Sequence, residues 1–248
     1  MNPDRRCNLD CVYCEVDRTG PPRETVLDVD AMAEELVSVL AEVHSGRLTE
    51  RPAYANLPAD LLRLRHVALS GGGEPTLCPN FAEAVQGVVH VRARGKYPFF
   101  KLVLITNATG TDSVAVKESL RYFTKQDEIW AKLDVGSPGY FQTINRPEAG
   151  VTLEQILANI LALARQRPVV IQSLFPLVNG REAPAAEVER YAQRLLELKG
   201  AGAQISLVQI YSATRPIVGH DCSHLPLRSL SQIAQTVRQA TGLTVEVY

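Results

Sequence analysis

Apolar and polar positions alternate in blocks along this chain. Short runs rich in Val, Ile and Leu stand at 66–70 (HVALS), 101–106 (KLVLIT), 128–135 (EIWAKLDV), 168–175 (PVVIQSLF) and 204–211 (QISLVQIY), with a last one at 243–248 (LTVEVY). Their length and scant polar alternation predict strands buried on both faces, as in a parallel sheet. Between them, apolar residues recur at helical spacing. Met32, Leu36, Leu40 and Val43 form one stripe, and Asp28 or Asp30 stands where a helix start needs a cap. Further helices are predicted at 80–91, 111–123, 152–165, 184–199 and 229–240. Leu153, Ile156, Ile160 and Leu163 share one face, Pro184 suits a first helical position, and Gly200 and Gly242 act as stops. This order predicts an α/β fold, a parallel sheet with helices outside, open or curled toward a barrel. Two polar stretches, 45–61 and 212–228, break the rhythm. Neither leads into a second core, so a single domain over 1–248 is expected.

Composition narrows the function classes. The 248 residues suffice for one large α/β domain, and 46% apolar content sustains its core. A net charge of −1 gives no whole-chain basic excess for nucleic acid. No apolar run is long enough to cross a bilayer, and MNPDRRCNLD lacks the apolar segment of a signal peptide, so a cytoplasmic protein is expected. Five cysteines, an odd number with three clustered, make a poor disulfide framework and point to metal binding or chemistry.

The cluster is CNLDCVYC, with Cys7, Cys11 and Cys14. Thiolates are soft ligands for zinc, copper(I) or iron–sulfur clusters. A closed zinc site takes four ligands, so His220, Cys222 or His224 would have to complete it. A cubane cluster on three cysteines instead leaves one iron with an open position. In parallel α/β barrels functional groups gather at the C-terminal strand ends. There the sequence offers Gly71 to Pro75 (GGGEP), which either admits a ligand close to its backbone or makes a tight turn. Thr106 and Asn107 would contact a ribose or cap a helix. Lys132 and Asp134, two apart and so on one face, would meet a ligand or each other. Of Gln172 and Ser173, one is expected to point inward. Gln209 and Tyr211 alternate at the end of their strand. Cys78 reads as a small buried residue or as a helix-start thiol. Cys222, clustered with His220, Asp221 and His224 in GHDCSH, reads as a hydrogen-atom donor, a ligand, a substrate contact or part of a plain loop.

The cysteine spacing with Tyr13 before its third member, followed by GGGEP directly after a strand, resembles the CxxxCxxC and GGE segments of the radical S-adenosylmethionine (SAM) enzymes. The resemblance implies a partial (β/α)6 barrel of parallel strands, matching the six β-like runs. It implies a [4Fe-4S] cluster on Cys7, Cys11 and Cys14, with SAM chelating the open iron. Reductive cleavage of SAM would then give a 5′-deoxyadenosyl radical that takes a hydrogen atom from a substrate. Gly72, Gly73 and Glu74 would line the methionine end of SAM. Lys132 would meet its carboxylate, and Asp134, Gln172, Ser173, Gln209 and Tyr211 would face SAM or substrate. Such an enzyme needs a reducing electron donor such as a flavodoxin or ferredoxin.

The phrases RRCNLDCVYC, SGGGEPTL, WAKLD and VQIYSATRP resemble the branch grouped with the wyosine-tRNA synthesis enzymes. The chain departs from those enzymes in lacking their extra N-terminal cysteines, and its charge offers no obvious phosphate-binding surface, so tRNA is the less favoured substrate. With so short a lead-in before Cys7, a truncated first strand and a more open active site are expected. Cys78 and Cys222 are too few for an auxiliary-cluster domain. A structural zinc module and a non-catalytic cluster-bearing scaffold are the alternatives.

Overall fold

The computed structural model describes residues 1–17, 20, 24–213 and 222–248. Its main sheet is built from β1 (His66–Leu69), β2 (Lys101–Thr106), β3 (Glu128–Lys132), β4 (Val169–Leu174), β6 (Ile205–Tyr211) and β8 (Val245–Val247), in that spatial order and with every pairing parallel. A two-stranded antiparallel ribbon, β5 (Leu177–Val178) with β7 (Cys222–Ser223), follows the C-terminal ends of β4 and β6. The helices are α1 (Val29–Ser45), α2 (Phe81–Ala93), α3 (Val114–Ser119), α4 (Pro138–Ile144), α5 (Leu153–Gln166), α6 (Ala185–Gly200) and α7 (Leu227–Thr241). The six strands are those the apolar runs predict. Residues 1–6 form no strand, so β1 is an edge of the sheet in the described chain.

Parity along the strands decides which side chains enter the barrel. On the helix side, Leu102, Leu104, Ile129, Ala131, Ile171, Val208 and Ile210 are fully buried. The alternate positions mix polar residues, among them Lys101, Glu128, Lys132, Gln172 and Gln209, with Val103, Ile105, Trp130, Val170, Leu207 and Tyr211. The inner face therefore carries the strands' polar residues toward its C-terminal end, where Lys132, Gln172 and Gln209 stand side by side. Helix ends follow local rules. Asp28 caps α1 through Ala31 N at 2.9 Å, and Thr152 caps α5 through Gln155 N at 3.1 Å. Gly242 closes α7 at φ 64°. Pro184 is the N-cap of α6 rather than its first helical residue. The segment 111–123 shortens to α3 plus a 3-10 turn at Leu120–Tyr122. Helix α4, unforeseen, starts at Ser137–Pro138, with the serine as cap.

Candidate active site

The cysteine loop crosses the C-terminal mouth of the barrel because two segments hold it there. On one side, residues 8–12 run antiparallel to 144–148. Val12 N donates to Ile144 O (2.9 Å), Asp10 N to Asn145 O (3.0 Å) and Glu148 N to Asn8 O (3.0 Å). On the other side, the approach to Cys7 lies on the glycine loop, where Glu74 N donates to Arg6 O at 2.8 Å. A Cβ on Gly73 would stand 2.1 Å from that same oxygen. Gly73 is thus required for chain to approach chain, a second reason for glycine beside ligand access.

Cys7, Cys11 and Cys14 line one cavity together with Tyr13, Gly71, Gly72, Gly73, Glu74, Asn107, Lys132, Asp134 and Asn145. The space they enclose, its open mouth included, is ≈ 870 Å³. Its donors suit an iron–sulfur cluster: soft thiolates from one loop face a common space. No group of three Cys, His, Asp or Glu that would hold a single metal ion occurs among the described residues. His220, one partner the zinc alternative needs, lies outside them together with Asp221.

Glu74 is buried beneath this floor. Its carboxylate accepts from Thr76 N (3.1 Å), Thr76 Oγ1 (2.6 Å), Thr106 Oγ1 (2.5 Å) and Asn107 N (2.7 Å). Three of those donors meet Oε1 and one meets Oε2, so Glu74 ties the glycine loop to the end of β2. Burial raises its pKa, with the bonds from Asn107 and Thr106 pulling the other way. Thr106 is committed to Glu74 and to Ala108 N (3.0 Å). Asn107 caps no helix. Its Oδ1 accepts from Thr109 N (2.9 Å), and its Nδ2 faces Asn8 Oδ1 (3.0 Å) and Cys7 Sγ (3.7 Å).

The opposite wall is a charged network. Asp134 Oδ1 accepts from Leu174 N (2.8 Å) and pairs with Lys132 Nζ (3.3 Å); its Oδ2 accepts from Tyr13 Oη and from Asn145 Nδ2 (2.9 Å). Lys132 also donates to Tyr211 Oη (2.8 Å) and lies over the rings of Tyr13 and Tyr211. Lys132 is therefore paired with Asp134 and also lines the cavity. Burial works against its charge, but Asp134 and Tyr211 outweigh it and its pKa is raised. Burial, with the charge of Asp134, pushes the Tyr13 phenol well up and the Cys11 thiol up to about 12. Bound iron would supply the opposing charge to that thiol.

A second hollow, ≈ 760 Å³ with its mouth, adjoins the first across Tyr13. It is lined by Glu15, Trp130, Gln172, Gln209, Tyr211 and Tyr248 among others. Gln172 is the inward-pointing member of its pair, donating to Gln209 Oε1 at 3.3 Å. Ser173 is corrected: parity turns it to the helix layer, where its hydroxyl bonds Leu133 O (2.6 Å) and Tyr191 Oη (2.5 Å) and is fully buried. Cys222 sits in β7 opposite Val178 and lines neither hollow. His224 lies against Ala213 O at 3.2 Å. Cys78 is buried, and burial raises its pKa rather than lowering it. Sequence reasoning missed Asn145. A single asparagine carries no spacing signal, although its place after a Ser-Pro helix start and before Arg146–Pro147 marks a loop.

Comparison with known proteins agrees with this geometry. The radical SAM superfamily model matches residues 1–195, and the chain belongs to that superfamily. Members use a [4Fe-4S] cluster and SAM. A UPF0026 protein of Synechocystis sp. is 32% identical over 158 residues, covering 62% of this chain and 48% of the relative. The chain thus spans about half of that relative's length. Streptococcus suis SuiB, solved bound to S-adenosylmethionine, superposes with a TM-score of 0.65 at 12% identity, over 100% of this chain and 49% of SuiB. TYW1, solved with a lysine-pyruvate adduct bound, gives 0.61 at 16% identity, over 97% of this chain and 72% of TYW1. At such identities the two structures share the fold, a radical SAM partial barrel. No described helix is long and apolar enough to cross a membrane.

Proposed function

We propose that this chain holds a [4Fe-4S] cluster on Cys7, Cys11 and Cys14 and uses it to cleave SAM, as an oxidoreductase-like enzyme whose radical takes a hydrogen atom from a substrate in the adjoining hollow. The observation that carries the reading is the convergence of three thiols, the glycine loop and a cavity-facing Lys132 on one space. When bound and reduced, the cluster supplies the electron that breaks the SAM sulfonium, giving methionine and a 5′-deoxyadenosyl radical.

The chain's own part is positioning. The backbone of Gly72 and Gly73, in the loop that Glu74 ties down, would receive the ammonium of SAM. Lys132, kept charged by Asp134, would meet its carboxylate. Tyr13 is the partition toward the hollow of Trp130, Gln172, Gln209 and Tyr211, where a substrate would sit within reach of the radical. The test is anaerobic. Protein reconstituted with iron and sulfide, reduced by dithionite or flavodoxin and given SAM is assayed for 5′-deoxyadenosine beside Cys11→Ala. Cysteine-dependent 5′-deoxyadenosine supports the reading; a colourless protein with bound zinc contradicts it. Cys222→Ala separates the role of that thiol: 5′-deoxyadenosine retained but product lost would make it a hydrogen-atom donor, and full product yield would remove it from the reaction.

A further inference from the structure

Two of the cluster cysteines have an asparagine amide turned toward their sulfur. Asn145 Nδ2 lies 3.3 Å from Cys11 Sγ, and Asn107 Nδ2 lies 3.7 Å from Cys7 Sγ. Neither amide has a free choice of orientation. The Asp134 carboxylate accepts from Asn145 Nδ2 at 2.9 Å, so the nitrogen and not the oxygen must face that corner. Thr109 N and Oγ1 donate to Asn107 Oδ1 at 2.9 and 2.7 Å, which leaves Nδ2 for the cysteine side. Both asparagines are buried and rigidly held. Asn145 follows α4, and its backbone oxygen also anchors Asp10 of the cysteine loop, so amide and thiol keep a fixed relation. An amide carries two N–H groups; in Asn145 one serves Asp134, and the other is directed to Cys11 Sγ, with Tyr13 Oη farther off at 3.5 Å.

We propose that Asn145, and more weakly Asn107, are positioning residues that set the reduction potential of the cluster through amide hydrogen bonds to the sulfurs of Cys11 and Cys7. Reduction adds negative charge that is shared with the thiolate sulfurs. A donor at a sulfur stabilises the reduced form more than the oxidised one and raises the potential. The shorter contact at Cys11 gives Asn145 the larger share. This inference rests on the cluster assignment proposed above and adds to it the residues that decide how readily the cluster accepts its electron.

Redox titration followed by electron paramagnetic resonance, without SAM, tests it on cluster-loaded wild type, Asn145→Leu, Asn107→Leu and Thr241→Val. Leucine preserves bulk at position 145, and Asp134 keeps its bonds from Tyr13 and Leu174. Thr241→Val breaks a buried hydrogen bond to Val237 O far from the cavity and controls for general loosening. The expected result is a midpoint more negative in Asn145→Leu, less so in Asn107→Leu, and unmoved in Thr241→Val. A fully loaded Asn145→Leu with the wild-type midpoint overturns the proposal. Should that variant fail to fold or load, pulsed resonance on reduced wild type labelled with ¹⁵N-asparagine decides: hyperfine coupling to an amide nitrogen supports the bond, and its absence overturns it. Wild type that takes up no cluster overturns this inference together with the function proposed above, whereas a loaded cluster with no shift overturns this inference alone.

Discussion

Two buried aspartates stand at opposite ends of β3, and they do different things. Asp127, just before the strand, accepts two bonds from Arg92 (2.7 and 3.1 Å) and others from Leu102 N (2.7 Å), Thr124 N (2.6 Å) and Thr124 Oγ1 (3.0 Å). Arg167 closes the same corner on the carbonyls of Thr124 and Asp127. Asp134, two residues past the strand, is equally well bonded, but its partners are Tyr13, Asn145 and Lys132, which line the cavity. The exposures tell the two apart: the Arg92 and Asp127 side chains are 8% and 0% exposed, whereas Lys132 keeps 19%. A charge network whose cation is turned onto the chain's own groups fastens the barrel. One that leaves a cation facing a cavity can serve a ligand. The division follows the rule for parallel barrels, stability at the N-terminal ends and chemistry at the C-terminal ends.

The comparison can be broken by substitution. The largest effect is expected from Cys11→Ala, which should abolish iron retention and SAM cleavage while leaving thermal unfolding close to wild type, read by iron analysis and calorimetry. Asp127→Ala should act in the opposite sense. It leaves Arg92 buried without its partner and should cost about 3–5 kcal/mol in urea unfolding, with SAM cleavage per folded molecule retained. The pH dependence sharpens the contrast. The bonds from Arg92 and its neighbours overcome burial and hold the Asp127 pKa below the usual carboxylate range. Its contribution is therefore fully present above the unfolded value of about 3.9 and is lost as pH falls through the lower native value. Acid unfolding curves of wild type should show this loss, and Asp127→Ala should show less of it. The smallest effect belongs to Ser173→Ala, expected to cost about 1–2 kcal/mol for its lost bonds to Leu133 and Tyr191 and to leave SAM affinity unchanged.

Much of this was legible in the sequence, for identifiable reasons. The six strands stood out because most of their helix-facing positions are apolar and fully buried, from Leu102 and Leu104 to Val208 and Ile210. The cluster loop and glycine loop were legible because their chemistry requires fixed spacing. The site's polar wall was half legible. Lys132 and Asp134 announce themselves as charges two apart in an apolar strand, but whether Gln172 or Ser173 enters the barrel depends on parity, which only the register settles. Helix α4 was missed because seven residues show no amphipathic period, leaving the Ser137–Pro138 start as the one local signal. Asn145, Glu187 and Arg92 were missed because their roles arise from contacts distant in sequence. Glu187, for example, caps the Gly136–Ser137 turn from α6 through bonds of 2.6 and 3.1 Å.

The division between a fastening end and a chemical end is tested most directly by measuring SAM cleavage and thermal stability together in cluster-loaded wild type, Lys132→Met and Asp127→Asn. The account predicts that Lys132→Met, in which Asp134 keeps its bonds from Tyr13, Asn145 and Leu174, loses less stability than Asp127→Asn but loses most SAM cleavage. It predicts that Asp127→Asn melts well below wild type yet cleaves SAM normally at temperatures where it is folded. Undiminished cleavage in Lys132→Met, or cleavage lost in folded Asp127→Asn, would contradict it.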